Sequence, residues 1–312
     1  MNRSEIDSAQ ARFSAHSGHF LLETPLWKLP GPALGVHCAE IWLKLEQLQV
    51  GGSFKARGMF NRLLANTIPA SGVIVASGGN AGIATAAAAR ALNVPCEVFV
   101  PTVSSPAKQA RLRELGANVV VTGAMYAEAL EACLQRQHTT GALLTHAYDQ
   151  PEVVAGAGTL AREIEQQGGL PDSVLVSVGG GGLIAGIAAW FEDRTRVVAL
   201  EPELAATLYR SRKAGAPVDV EVGGIAADSL GARRIGAIAW EVTQQHVQEA
   251  LLLPDAAIRA AQLQLWQQFK LAVEPAAALG LAALQTGAYT PRADEKVCLV
   301  ICGANLDPST LS

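Results

Sequence analysis

Short apolar runs alternate with longer, alanine-rich segments along most of the chain. The runs GVIVAS at 72–77 and SVLVSV at 173–178 are uncharged and rich in β-branched residues, and they predict buried strands. The segments AGIATAAAARAL at 81–92 and EVVAGAGTLAREIEQQ at 152–167 are longer and rich in alanine, and they predict helices. The same pattern predicts further strands at 96–101, 117–123, 196–200 and 296–302, and further helices at 105–116 and 124–137.

This order of strands and helices predicts an α/β fold. Strands separated by helices form right-handed crossover units, and such units build parallel sheets flanked by helices. A chain of 312 residues is long enough for about two domains, or for one large α/β unit. We predict a small α/β domain at 47–147, which carries an asparagine-containing loop, and a large α/β domain formed by 1–46 and 148–312.

The composition points to a small-molecule enzyme rather than a nucleic-acid or membrane protein. Half of the residues are hydrophobic, 17% are charged, and the formal net charge is −4 without any block of basic residues. The stretch 174–191 has 18 residues without a charge, but four consecutive glycines interrupt it. We therefore read it as a strand, a turn and a helix rather than a membrane span.

The cysteines and the N-terminus indicate a reducing compartment. No CxxC pair occurs, so neither a structural zinc site nor a disulfide framework is predicted. The polar N-terminal segment lacks the apolar stretch of a secretory signal, and we expect a cytoplasmic location. The five cysteines are Cys38, Cys96, Cys133, Cys298 and Cys302.

Two small-residue loops follow predicted strands, at the sheet edge where open α/β proteins bind ligands. SGGNAG at 77–82 combines small residues with the side-chain amide of Asn80, and it is equally compatible with a simple turn. GGGG at 179–182 favours a nest of backbone amides around a phosphate, with a close strand–helix crossing as the alternative. It matches neither a Walker A loop nor a dinucleotide fingerprint.

A lysine follows a third glycine pair, in the stretch GGSFKARG at 51–58. Most lysines are exposed, so a surface residue in a salt bridge is the simple interpretation of Lys55. The turn that precedes it and the helix-like run that follows also suit a lysine directed at a bound ligand.

Taken together, five motifs in one order resemble a known family. They are GGSFKARG, SGGNAG, GGGG, VEPAAALGLAAL at 273–284 and CGAN at 302–305. The set resembles the serine/threonine dehydratases, which are fold type II enzymes dependent on pyridoxal phosphate (PLP) and are related to serine racemase. The resemblance implies the two-domain, tryptophan synthase β-like fold of that group.

The resemblance assigns cofactor-binding roles to residues of these motifs. Lys55 is the residue whose amine condenses with the PLP aldehyde, and Phe54 packs beside the pyridine ring. Asn80 hydrogen-bonds the 3′-oxygen of the cofactor. Cys302 faces the pyridine nitrogen with a neutral thiol, which makes the ring a weaker electron sink. The phosphate is bound by the backbone of Gly179, Gly180, Gly181, Gly182 and Leu183.

The same resemblance implies how a substrate binds. Its carboxylate lies on the asparagine loop, and the freed Lys55 removes the α-proton. Glu201 matches an acid near the cofactor that positions or protonates the substrate, with a solvated loop acid as the alternative. Glu274 is either an acid at a helix entry, which we favour, or a pocket residue. The substrate-binding loop residues are Ser77, Gly78, Gly79, Asn80 and Ala81.

The chain departs from racemase-like relatives at three positions, one of which is Ala81, where those relatives have a histidine. Gly78 replaces the serine that serves racemases as a second acid/base, so racemisation is expected to be slow or absent, with extra room beside the substrate. Thr207 replaces an aspartate of the divalent site in racemase-like members, which speaks against Mg²⁺. A K⁺ ion held by backbone oxygens is the alternative, and the matching positions are Gly156, Ala205, Leu230 and Ala232.

The resemblance therefore implies a PLP-dependent dehydratase that converts L-serine, L-threonine or a related β-hydroxy amino acid to a 2-oxo acid and ammonia. It also implies a homodimer. A β-replacement enzyme similar to cysteine synthase is a second hypothesis, although the threonine-rich phosphate loop of those enzymes is absent. A non-catalytic PLP-binding protein is the third, and the retained Lys55 speaks against it.

Overall fold

Two β-sheets organise the chain in a computed structural model that describes residues 1–16 and 21–311. The strands are Leu26–Pro30 (β1), Glu40–Lys44 (β2), Val73–Ala76 (β3), Cys96–Val100 (β4), Asn118–Val121 (β5), Leu143–Leu144 (β6), Ser173–Ser177 (β7), Arg196–Pro202 (β8), Val247–Leu253 (β9) and Lys296–Val300 (β10). The larger sheet has the order β1-β2-β10-β7-β8-β9, and the smaller has the order β5-β4-β3-β6.

Helices surround both sheets. They are Arg3–Ala15 (α1), Lys55–Leu64 (α2), Asn80–Ala91 (α3), Pro106–Glu114 (α4), Tyr126–Thr140 (α5), Pro151–Gly168 (α6), Gly182–Phe191 (α7), Thr207–Ala214 (α8), Ala237–His246 (α9), Asp255–Phe269 (α10) and Leu279–Thr286 (α11). Every residue of α7 is buried, and this helix packs against α6. Among the described residues, no helix is long and apolar enough to cross a membrane.

The predicted fold class is confirmed, with one correction to the sheet direction. The strand pairs are parallel except for β1, which runs antiparallel to β2 at the edge of the larger sheet. The connection between these two strands contains only a short 3₁₀ turn at Gly31–Leu34. A parallel pair needs a longer crossover, so this short connection gives an antiparallel pair.

Each sheet has its own hydrophobic core. The large cluster packs around the six-stranded sheet and includes Leu43, Val176 and Leu299, whereas a separate cluster around the four-stranded sheet includes Val75 and Val98. The four-stranded sheet lies within residues 73–144, inside the predicted small domain. The domain boundaries at residues 47 and 147 themselves stay a prediction.

Candidate active site

The glycine loop ends strand β7 and starts helix α7. Gly181 has a φ of +87°, a conformation that favours glycine, and it is the N-cap of the helix that begins at Gly182. A Cβ atom at Gly180 would lie 2.3 Å from the ring of Tyr148, so only glycine allows that ring to pack here. The first amides of a helix have no partner within it, and they can bind an anion.

The asparagine loop has the same strand–loop–helix construction in the smaller sheet. Strand β3 ends at Ala76, Gly79 is the N-cap of α3, and Asn80 is the first residue of that helix. A Cβ atom at Gly82 would lie 1.9 Å from the carbonyl oxygen of Ser77, so the close turn requires glycine. The N-terminus of α3 therefore lies at the edge of the smaller sheet where strand β3 ends.

Lys55 is the first residue of α2, and contacts with the end of β10 hold the segment before it. The backbone N–H of Phe54 donates to the carbonyl oxygen of Cys302 at 3.0 Å, and Ser53 forms an isolated antiparallel bridge with Gly303. The Nζ atom of Lys55 donates to the carbonyl oxygen of Ala147 at 2.7 Å. Lys55 is thus directed inward, and the interpretation as an exposed surface lysine is wrong.

The environment of Lys55 favours a free amine. Burial lowers the pKa of Lys55 to about 8, although the nearby Cys302 and Glu274 oppose this shift. Burial also raises the pKa of the Cys302 thiol far above its usual range, so this side chain is neutral at neutral pH. An amine that loses its proton near neutral pH is a competent nucleophile and base.

These loops surround one cleft of about 480 Å³, a volume that includes space open to solvent. Its lining contains every residue that the sequence assigned to the cofactor. The predicted lining residues are Phe54, Lys55, Asn80, Gly179, Gly180, Gly181, Gly182, Leu183 and Cys302. The others are Tyr148, Ser177, Ser229, Leu230, Glu274 and Ala276.

Glu274 corrects the sequence interpretation that we favoured. It precedes the 3₁₀ turn Pro275–Ala278, but its side chain does not cap that turn. The carboxylate instead accepts hydrogen bonds from Asn80 Nδ2 at 2.9 and 3.0 Å and from the backbone N–H of Asn305 at 2.8 Å. The hydroxyl of Ser229 also bonds to it, and burial raises its pKa. Glu274 is a pocket residue.

Glu201 lies in β8 and is completely buried, so the alternative of a solvated loop acid is wrong. Its carboxylate accepts hydrogen bonds from the backbone N–H groups of Leu208 and Tyr209 at 2.8 and 2.7 Å, in the first turn of α8. It also contacts the hydroxyl of Thr207 at 3.1 Å. Burial raises the pKa of Glu201 to about 7. This acid does not line the cleft, and its direct role with substrate stays a prediction.

Thr207 connects Glu201 to the glycine loop. Its hydroxyl lies 2.5 Å from the carbonyl oxygen of Gly179, in addition to its contact with Glu201. An aspartate at this position would add a second carboxylate next to Glu201, whereas the threonine adds only a hydroxyl. No cluster of three histidine, cysteine or acidic side chains suited to a metal occurs within residues 1–16 and 21–311.

The four backbone positions matched to K⁺ lie on different elements. Gly156 is inside α6, where its carbonyl oxygen accepts a hydrogen bond from the hydroxyl of Thr159 at 2.7 Å. Leu230 packs against Gly179, because its Cα atom lies 3.1 Å from the position of a Cβ atom there. Ala205 is buried just after β8, and Ala232 belongs to the segment that leads to α9. The ion site stays a prediction.

The expected extra room beside Gly78 is not found next to its Cα atom. A Cβ atom at this position would lie 3.0 Å from Ser104 Oγ and 3.3 Å from Val100 Cγ1. The small sheet therefore closes the space that the missing side chain leaves. Ser77, Gly79 and Ala81 lie in the same loop, and the backbone N–H of Gly79 donates to Ser77 Oγ at 3.4 Å.

The sequence interpretation missed several lining residues. Tyr148 and Ser177 lie at the carboxyl ends of β6 and β7, and this position is a signal that could have identified them. Ser229 lies in a long connection between α8 and α9, where no local pattern marks it.

Comparisons with known proteins agree with this site. Residues 19–303 match the family model described as pyridoxal-phosphate dependent enzyme. The chain is 38% identical over 279 residues to the L-threonine ammonia-lyase of Geobacter sulfurreducens, covering 87% of this chain and 69% of that protein. It is 34% identical over 316 residues to the phenylserine dehydratase of Ralstonia pickettii, covering 98% of this chain and 94% of that protein.

Solved structures give the same result. A threonine deaminase from the organism abbreviated T.th. has a TM-score of 0.90 at 33% identity, covering 98% of this chain and 99% of that chain. Maize serine racemase also has a TM-score of 0.90, at 27% identity, with 99% of this chain and 95% of that chain covered. The match along nearly the whole chain confirms the resemblance that the five motifs indicated: the protein belongs to the family of pyridoxal-phosphate dependent enzymes.

Proposed function

We propose that this protein is an ammonia-lyase that converts an uncharged β-hydroxy amino acid, such as L-serine, L-threonine or a larger relative, to a 2-oxo acid and ammonia. The observation that carries the proposal is the inward-directed amine of Lys55, with its pKa lowered to about 8, in a cleft shared with the glycine loop. The relatives named ammonia-lyase and dehydratase support the reaction class.

PLP fits the residues of the cleft. When bound, it supplies an aldehyde for the lysine and an electron-withdrawing ring for the substrate. The amides at the start of α7 would hold its phosphate, and Asn80 would donate to its 3′-oxygen. Phe54 would pack on the ring, and the neutral thiol of Cys302 would be the partner of the ring nitrogen in place of a carboxylate.

The asparagine loop binds the substrate carboxylate. Ser77, Gly79 and Ala81 lie around the N-terminus of α3, where amides without a helical partner favour an anion. Lys55 then removes the α-proton as a general base, and its lowered pKa of about 8 leaves roughly a tenth of the amine unprotonated at pH 7. Gly78 offers no acid on the opposite face of the substrate, so elimination is favoured over racemisation.

The charges of the cleft select the substrate side chain. Among the described residues that line it, Lys55 is the cation and Glu274 is an acid. A substrate with a second carboxylate would face Glu274 without a second cation to balance it, and like charges at close range are costly. Uncharged β-hydroxy amino acids are therefore the preferred class.

The remaining parts of the proposal concern assembly and ions. We propose a cytoplasmic homodimer with the domain division at residues 47 and 147, in line with the family resemblance. We also propose a K⁺ ion on backbone oxygens near Ala205, Leu230 and Ala232, with Gly156 as a further ligand. Size-exclusion chromatography with light scattering tests the dimer, and activity in K⁺ compared with Na⁺ buffer tests the ion.

The central experiment is a substrate panel with the purified PLP-loaded protein. Serine, threonine, phenylserine and hydroxyaspartate are incubated separately, and 2-oxo acid and ammonia are measured. We expect both products from at least one uncharged substrate and the lowest kcat/KM with hydroxyaspartate. Product only in the presence of a thiol would favour β-replacement, and no product despite bound PLP would favour a non-catalytic role.

A lysine variant tests the assignment of the amine. Lys55→Ala is expected to lose the visible absorbance of the lysine-linked cofactor and turnover together. Lys213→Ala, which removes an exposed lysine of α8, is the matched control and should behave like the wild type. Full turnover in Lys55→Ala would refute the proposal.

A further inference from the structure

A hydrogen-bond network at the edge of the cleft joins four of the five sequence motifs. Asn305 donates from Nδ2 to the carbonyl oxygen of Gly51 at 2.7 Å and to Asn80 Oδ1 at 2.6 Å. Asn80 in turn donates from Nδ2 to the carboxylate of Glu274. The glycine pair before Lys55, the asparagine loop and the VEP segment therefore all contact Asn305 of the CGAN segment.

Glu274 decides how the amide of Asn80 is oriented. The oxygen and nitrogen of an asparagine amide have nearly the same shape, so neighbouring donors and acceptors determine which of them faces which group. An ionised carboxylate only accepts hydrogen bonds, so Asn80 must turn its Nδ2 toward Glu274. Asn80 Oδ1 then faces Asn305 Nδ2, whose two hydrogens serve two different acceptors.

This arrangement leaves one donor of Asn80 for the cleft. The two contacts from Nδ2, at 2.9 and 3.0 Å, go to the two oxygens of the same carboxylate. Those oxygens lie close together as seen from the nitrogen, so one N–H is shared between them in a three-centre bond. The second N–H points away from Glu274, and Asn80 lines the cleft.

We propose that Glu274 is a positioning residue, which holds the amide of Asn80 so that its second Nδ2–H is a fixed donor to the cofactor in the cleft. The proposal rests on the proposed function in that PLP is the bound group. Three donors, from Asn80, Asn305 and Ser229, hold the buried carboxylate in place, so it cannot turn away from the amide. Asn305 completes the arrangement from the other side of the amide.

The test measures PLP binding without substrate, by the apparent Kd and the visible absorbance of the bound cofactor. We expect Asn80→Ala and Glu274→Ala each to weaken PLP binding about tenfold, the effect of losing one hydrogen bond to a charged group. Because Glu274 acts through Asn80, adding Glu274→Ala to Asn80→Ala should change the Kd by less than about twofold. The proposal would be overturned if the two single effects on the Kd multiplied in the double variant. It would also be overturned if Glu274→Ala bound PLP as tightly as the wild type.

Two further variants keep the test decisive if the alanine variant does not fold. The side chain of Glu274→Gln keeps a carbonyl oxygen that can accept from Asn80, and its NH2 group can face Ser229. This variant should therefore keep a PLP affinity within about threefold of the wild type. Asn305→Ala frees the oxygen of the Asn80 amide and should weaken PLP binding several-fold. A glutamine variant as defective as an Asn80 variant would mean that the charge acts directly, against the proposal.

A control separates the local effect from the general cost of losing a buried carboxylate. Glu295 is buried away from the cleft and accepts hydrogen bonds from Ser173 and Tyr289 at 2.8 and 2.5 Å. Glu295→Gln should leave the PLP affinity and spectrum unchanged. Because no substrate is present, failure of the substrate panel would refute the proposed reaction, and failure of the binding cycle would refute only the role of Glu274.

Discussion

Two glutamates, Glu201 and Glu274, are buried to a similar extent but differ in the groups that donate hydrogen bonds to them. Both are less than 5% exposed, and burial raises the pKa of both. The shorter hydrogen bonds to Glu201 come from two backbone N–H groups of the first turn of α8, which the helix itself fixes in place, and the Thr207 hydroxyl lies next to them. The donors to Glu274 include the amide of Asn80 and the hydroxyl of Ser229, which are side chains that line the cleft.

This difference shows which buried acids belong to a binding site. A perturbed pKa marks desolvation, and desolvation occurs at structural caps and at active sites alike. The type of partner separates the two situations. Backbone partners tie Glu201 to the start of α8, whereas side-chain partners place Glu274 among the groups that line the cleft.

The largest expected difference between the two acids is in stability. Glu201→Ala leaves two buried backbone N–H groups without their acceptor, and we expect it to cost about 4 kcal/mol. Glu274→Ala should cost about 1 kcal/mol, because water in the open cleft can reach the donors it leaves. Urea denaturation of the apoproteins measures both costs.

The control for this pair is Glu203→Ala, which removes an exposed acid two residues after Glu201. It should leave the denaturation midpoint unchanged. If Glu201→Ala and Glu274→Ala lowered the midpoint equally, the distinction between fixed backbone donors and cleft donors would lose its basis.

The pH dependence of stability gives the next largest effect. The pKa of Glu201 is raised from 4.5 to about 7 in the folded protein, so the folded state holds a proton that the unfolded state has released. The stability from this group is complete below pH 4.5 and is lost as the pH rises through 7. Between about pH 5.5 and 7 the loss is about 2 kcal/mol, at about 1.4 kcal/mol per pKa unit.

Glu201→Gln removes the titrating proton and should flatten this dependence. Thermal unfolding midpoints of the apoprotein at several pH values, for the wild type and the variant, provide the measurement. A slope that persists unchanged in Glu201→Gln would show that other groups cause it.

The sequence alone did not separate these two acids, and the reason is physical. Glu201 follows a predicted apolar strand, and only the family resemblance matched it to an acid near the cofactor, whereas Glu274 precedes a proline as helix-entry acids do. Neither pattern contains the donors, because Leu208 and Tyr209 belong to the next helix and Asn80 is far away in sequence. Only the tertiary structure brings acid and donors together.

Other parts of the molecule were predictable because their signals are local. Strands β3, β4, β5, β7, β8 and β10 were found from apolar, largely β-branched runs, and the fold class followed from their alternation with helices. Strands β1, β2, β6 and β9 were not predicted. The edge strands β1 and β9 are largely exposed or half-buried, β6 has only two residues, and the interior strand β2 carries a charged residue at each end. Lys55, Asn80 and the glycine loop were identified only because the five motifs occurred together.

Substitution of Thr207 should have a smaller effect, on PLP binding, and it tests whether Glu201 influences the glycine loop. Its hydroxyl contacts both Glu201 and the carbonyl oxygen of Gly179, so Thr207→Val should loosen the glycine loop and weaken PLP binding about fivefold, the effect of one neutral hydrogen bond. Thr207→Ser keeps the hydroxyl and is the control. PLP binding by Thr207→Val with wild-type affinity would confine Glu201 and Thr207 to stabilising α8.

The smallest expected effect concerns the charge that each acid exerts on Lys55. Burial lowers the pKa of this amine to about 8 against the opposing charge of Glu274, whereas Glu201 is not among the groups that shift it. Glu274→Gln should therefore lower the pKa of Lys55, and Glu201→Gln should leave it unchanged. The rate of PLP uptake by the apoprotein reports this pKa, because only the unprotonated amine reacts, and its midpoint should move to lower pH in Glu274→Gln alone. Equal midpoints in both variants would mean that neither acid reaches the lysine electrostatically, and Glu274 would then act on the cofactor only through Asn80.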